Sequence, residues 1–184
     1  TIPSMQSMFV GLIPITEKMD LPYELELKYR YVIRQRVFGE RGYSTYFINS
    51  NPILSDYTGM KPLGFKYIHE CFTDKPAKEM ITWFLDNYKE PFYAVFLFIE
   101  THHPYLGIDP KRESQLKAIT YLDRYFGELY KGVPENTRIV ITADHSDVFM
   151  GGESIGHEPR CSWWRPVLDR VGELLEVFIA IALK

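Results

Sequence analysis

Arg138 to Pro159, RIVITADHSDVFMGGESIGHEP, decides how the rest of the chain is read. It opens with Arg138-Ile139-Val140-Ile141-Thr142, a short β-branched run that predicts a buried strand. The run stops just before Asp144-His145, a carboxylate and an imidazole side by side. A glycine-rich loop is expected next, ending at Gly156-His157. In open α/β sheets, ligands bind just beyond the carboxyl ends of the strands. Asp144 and His145 stand at that place, and their donor types suit a divalent metal. The plainer alternative is an aspartate capping the next turn with a histidine packed beside it. Asp147 reads either as a residue that orients a ligand or as a solvated loop acid.

Upstream, Phe92 to Ile99 is a near-continuous apolar run, which predicts a central parallel strand covered on both faces. His102 and His103 follow its carboxyl end. Neighbours in an extended chain point to opposite sides, so one of the two is expected to face a site there. Tyr43 to Asn49 reads as another strand. Thr73 to Tyr88 predicts a helix, with Thr73 as N-cap and Asp74 at the positive end. Its stripe of Ala77, Met80, Ile81, Phe84, Leu85 and Tyr88 is core packing. Lys111 to Lys131 predicts a second amphipathic helix. Leu116, Ile119, Phe126, Leu129 and Tyr130 lie near one face, and Asp123 interrupts the stripe. Leu21 to Glu40 is expected to be helical and to end at Arg41-Gly42. Ser50 to Phe72, with Pro52, Gly59, Pro62 and Gly64, reads as a long loop holding a solvated His69. Glu176 to Leu183 predicts a last buried strand. Strands alternating with helices define an α/β, three-layer α/β/α architecture with a mostly parallel central sheet.

The totals agree with one globular domain. The chain has 184 residues, 46% hydrophobic and 24% charged, enough for a substantial core. A net charge of -3 gives no basic face for nucleic acid. No stretch reaches the length of a membrane span. Cys71 and Cys161 lie far apart and form no metal-type pair, which leans toward a reducing, cytoplasmic setting. A chain that starts inside a motif is equally compatible with a targeting segment upstream.

The start of the chain carries the other informative stretch. Pro3 to Gly11 predicts a short helix, with Met5, Met8, Phe9 and Leu12 on one face. Thr1 precedes it, near backbone N–H groups that favour an anion. Thr1 therefore reads as a hydroxyl beside an anionic group or as a simple N-cap.

Three segments in order resemble the alkaline phosphatase superfamily, within it the sulfatase-like branch. Asp144-His145-Ser146 with Gly156-His157 resembles that family's metal motif and its following Gly-Lys or Gly-His element. Thr1-Ile2-Pro3-Ser4-Met5 is similar to its nucleophile motif, with Met5 where sulfatases carry arginine. Phe98-Ile99-Glu100-Thr101-His102-His103-Pro104-Tyr105 is similar to its His-x-Pro segment. Tyr121-Leu122-Asp123-Arg124-Tyr125-Phe126-Gly127 fits the helix before its metal-binding strand. Ser146 departs from the usual glycine, and the family's substrate-binding lysine has no clear counterpart, Lys61 and Lys66 reading as surface residues. The family's upstream acidic metal ligands have no match before Thr1, so the expectation is a truncated catalytic domain spanning 1–184.

The resemblance implies a metal-dependent hydrolase or transferase acting on small anionic phosphate or sulfate esters. Asp144 and His145, with Thr1, would hold a divalent cation, of which zinc, manganese, calcium and magnesium are all compatible. Thr1 would be the nucleophile, and His102 and His157 would steady anionic oxygens or protonate the leaving group; His157 could instead ligate a second metal. Threonine does not yield the formylglycine that many sulfatases make from cysteine or serine. With Met5 in place of arginine, phosphate-type esters are favoured over arylsulfates. The alternative is a catalytically inactive remnant serving as a binding or structural module. A phosphomutase of the same superfamily would need a large cap insertion, and no segment is long enough. The sequence does not set the oligomeric state.

Overall fold

A computed structural model describes residues 34–50, 64–73, 75–101, 112–142, 147–150, 153–157 and 178–183. In chain order the elements are α1 (Arg34–Glu40), β1 (Ser44–Asn49), β2 (Tyr67–Glu70), α2 (Pro76–Asn87) and β3 (Phe92–Leu97). They are followed by α3 (Arg112–Gly132), β4 (Thr137–Thr142), β5 (Asp147–Met150), β6 (Glu153–His157) and β7 (Phe178–Leu183). Five strands form one sheet in the order β2-β1-β3-β7-β4, and β5 and β6 form a separate pair. β1 runs parallel to both β2 and β3. β7 is antiparallel to β3 and to β4, so β4 points the same way as β3. The fold is α/β with a mostly parallel sheet, and β7 is its one reversed strand among the described residues.

The side chains explain the layering. Successive residues of a strand face opposite sides. Tyr46, Ile48, Phe92, Ala94, Phe96 and Phe98 join Met80, Ile81 and Phe84 of α2 and Leu122, Tyr125 and Leu129 of α3 in one buried cluster. Both long helices therefore cover the same face. On the other face α1 lays Phe38 flat against Tyr93, with ring centres 4.5 Å apart. Phe84 is the hub of the first cluster. Its ring meets Tyr46, Phe92 and Phe96 edge-on at 5.4, 5.3 and 5.1 Å. Edge-to-face pairs of this kind add to the burial of each ring. Tyr46 also ties the sheet to the far end of α2, its hydroxyl accepting from the Lys89 N–H at 3.0 Å. Gly42 ends α1 with φ at +85°, a conformation open to glycine and costly for other residues.

Several expectations are met and several are corrected. The strand expected at Phe92–Ile99 runs from Phe92 to Leu97 with every residue buried. Helix α3 spans the expected range, but its buried stripe is Ala118, Leu122, Tyr125 and Leu129. Leu116 and Tyr130, placed on the core face from sequence, are 49% and 74% exposed. Apolar residues lie on more than one side of α3, so periodicity alone does not choose the face. β4 was expected to be buried, yet Val140 and Ile141 are 48% and 56% exposed. Among the described residues β4 is the outermost strand on its side, paired only to β7. The segment read as a loop through Phe72 contains β2, paired parallel to β1. Its four residues are too short a run to register as a strand pattern. The glycine-rich loop after Asp144 likewise contains β5 and β6, an antiparallel pair on either side of Gly151-Gly152.

Candidate functional site

Strand registers define the site before any side chain does. Asn49 is opposite both Glu70 and Leu97, Leu97 is opposite Phe178, and Phe178 is opposite Thr142. One level row therefore crosses the sheet at the carboxyl ends of β1, β2, β3 and β4. Strands lie about 4.8 Å apart, so the ends of β3 and β4 are separated by roughly 10 Å. That is a span a single small anion and its ligands can bridge. Asp144 and His145 follow β4 by two and three residues, and His102 follows β3 within five. In open α/β sheets ligands bind beyond strand ends such as those of β3 and β4.

The hairpin adds one more element. β5 begins at Asp147, and the backbone of Asp147 pairs with that of His157 at the end of β6. A register irregularity between Asp147 and Phe149 adjusts the pairing. The Gly156-His157 element is thereby folded back to within three residues of Asp144 along the chain. Of the residues nominated from sequence, His157 lies in a described strand as backbone. Thr1, His102, Asp144 and His145 lie outside the described residues. Among the described residues no group of three or more His, Cys, Asp or Glu side chains is placed to hold a metal.

At the same edge the chain buries polar groups that sequence reading passed over. Asn49, Ser50, Glu100 and Thr101 are all buried, at the ends of β1 and just past β3. Glu100 is 3% exposed, and its Oε1 accepts a 2.7 Å hydrogen bond from the Ala77 N–H. α2 starts with Pro76, has Lys75 as N-cap, and receives no side-chain cap from that residue. The expected N-cap, Thr73, instead accepts from the Lys75 N–H at 3.3 Å. A carboxyl from a strand end 23 residues away serves the first turn of α2 in its place. Burial pushes the Glu100 carboxyl from 4.5 up to about 7. Hydrogen bonds from its own N–H, from Ala77 and Ile99, and from the Ser50 hydroxyl pull the other way and are outweighed. The only local hint in sequence is an acid directly after a long apolar run.

His69, expected to be solvated in a loop, is half-buried in β2 with its ring stacked on Trp83 at 4.1 Å. Burial lowers its affinity for a proton, against the pull of Glu79 and Glu70. It borders a shallow cavity of about 620 Å³ together with Tyr67 and Trp83. That cavity lies at the β2 edge, on the opposite side of the sheet order from β4. Lys66 is exposed, as expected, with its ammonium 5.3 Å from the centre of the Tyr67 ring.

The family model described as Sulfatase matches residues 1–166. The chain belongs to the sulfatase family. Its fold is similar to the crystal structure of a protein in the alkaline phosphatase superfamily from Vibrio parahaemolyticus, with a TM-score of 0.58 and 18% identity. The match covers 98% of this chain and 48% of that one, so the chain spans about half the length of that relative. No curated protein matches this chain. No helix among the described residues is long and apolar enough to cross a membrane.

Proposed function

We propose that the chain forms part of the catalytic domain of a metal-dependent hydrolase or transferase acting on phosphate or sulfate esters. The observation that carries this reading is the level row at the sheet edge, with Leu97 and Thr142 both opposite Phe178. The strand ends that precede His102 and Asp144-His145 in sequence lie level at one edge of the sheet, with β7 between them, which supports bringing the two segments together. Family membership supports the reaction class.

The donor set fits a hard or borderline divalent cation: a carboxylate and an imidazole past the end of β4, with a second imidazole on the adjoining hairpin. Asp144 and His145 would hold it, with the Thr1 hydroxyl as a further ligand. When bound, such an ion lowers the pKa of a coordinated hydroxyl and offsets charge on the group under attack. Thr1 would supply the nucleophile, since a free threonine hydroxyl is too weak unaided. His102 would donate a hydrogen bond to a non-bridging oxygen of the ester. His157 would do the same, or pass a proton to the departing oxygen.

The test is turnover of para-nitrophenyl phosphate and para-nitrophenyl sulfate by the wild-type chain and by Thr1→Ala. The expected result is hydrolysis, faster for the phosphate, that falls by several orders of magnitude in the variant. Equal rates in the two proteins would remove Thr1 from the reaction. No turnover of either ester, with no bound metal, would favour the inactive binding module.

A further inference from the structure

Glu100 plays no part in the chemistry above, yet three elements meet at its side chain. Its Oε1 holds the Ala77 N–H in the first turn of α2 at 2.7 Å. Ser50, at the end of β1, accepts from the Ile99 N–H at 3.0 Å and donates to the Leu97 carbonyl at 3.1 Å. The Ser50 hydroxyl also bears on the Glu100 carboxyl. Among the described residues Glu100 Oε2 is buried with no hydrogen-bond partner, and so is Thr101 Oγ1 next to it. A buried orphan oxygen is costly and rare without a reason.

We propose that Glu100 is a positioning residue: a buried clamp fastening the carboxyl ends of β1 and β3 to the N-terminus of α2. It thereby fixes the direction in which the chain leaves toward His102, two residues on. The proposal rests on His102 acting on the ester, as read above. Misplacing a catalytic group by about 1 Å costs roughly a hundredfold in rate. Glutamine preserves the clamp, since its carbonyl accepts from the Ala77 N–H as Oε1 does. Alanine abolishes it.

The experiment compares wild type, Glu100→Gln and Glu100→Ala as the full chain. Readouts are kcat and KM on para-nitrophenyl phosphate, thermal melting, and the His102 imidazole resonances without substrate, assigned with His102→Gln. Glu100→Gln is expected to keep kcat within about threefold. Glu100→Ala, still folded at the assay temperature, is expected to lose roughly 30- to 100-fold in kcat with KM nearly unchanged. The His102 resonances should move in the alanine variant and stay in place in the glutamine variant. Unchanged kcat and resonances in Glu100→Ala would overturn the clamp, as would equal losses in both variants. If the wild type hydrolyses no ester, the catalytic reading fails on its own. The resonances then decide the clamp, a shift in Glu100→Ala alone supporting it and no shift refuting it. If Glu100→Ala does not fold, Glu100→Asp, one methylene short of Ala77, is judged by the same criteria.

Discussion

Glu100 makes the stability of this chain depend on pH in an unusual direction. Most buried carboxylates are held charged by partners, and their proteins lose stability in acid. Here burial dominates, and the carboxyl is pushed up from 4.5 to about 7. Below pH 4.5 both folded and unfolded chains carry the proton, and the group contributes no pH dependence. Between 4.5 and about 7 the unfolded chain gives up a proton that the folded chain keeps, so stability falls as pH rises. Above that window the effect is complete. One pKa unit corresponds to about 1.4 kcal/mol, which makes the full loss about 3 kcal/mol. Urea unfolding of wild type and Glu100→Gln between about pH 4 and about pH 8 isolates it, because other titrating groups cancel in the difference. The stability of the glutamine variant relative to wild type should grow by about 3 kcal/mol from the acid to the alkaline end. A difference flat to within about 0.5 kcal/mol, or one that grows toward acid, refutes the reasoning.

Three further substitutions test the packing that holds the site edge. Phe84→Ala removes the ring at the centre of the aromatic cluster and should cost about 3–5 kcal/mol in urea unfolding; a loss under about 1 kcal/mol would show that α2 packs otherwise. Ser50→Ala deprives the Ile99 N–H of its buried acceptor and should cost about 1–3 kcal/mol, with faster hydrogen exchange at Ile99 as the specific sign. Gly42→Ala places a side chain at φ +85° and should lower stability by about 1 kcal/mol by the same assay, whereas no change would mean the turn relaxes freely.

The elements most legible in sequence were those whose pattern is long or strongly biased. The apolar run at β3 and the stripe of α2 are seen in the structure as they read, because burial on both faces or on one helical face leaves a periodic imprint. Pairing partners leave no such imprint. Nothing in Glu176 to Leu183 says that β7 runs against its neighbours and separates β3 from β4. Nothing in Arg138 to Thr142 says that one side of β4 lacks a described neighbour, which is why Val140 and Ile141 are exposed. β2 was lost in a loop because four residues give too few alternations, and His69 was read as solvated for the same reason. The hairpin was better signalled than the reading allowed: Gly151-Gly152 between short polar-apolar runs is a recognised turn pair. At the site, the apolar runs located β3 and β4, whose ends the registers bring level. Glu100 escaped because its partner, Ala77, is 23 residues away and belongs to an element that appeared to carry its own cap in Thr73.

The central claim is that a divalent cation is held just past the end of β4 by Asp144 and His145. Elemental analysis of the purified chain and of Asp144→Ala, both dialysed against the same trace of zinc and manganese, addresses it without reference to any substrate. The account predicts on the order of one ion per wild-type chain and its loss from the variant at unchanged fold. Equal metal in both proteins, or none in either, would contradict it.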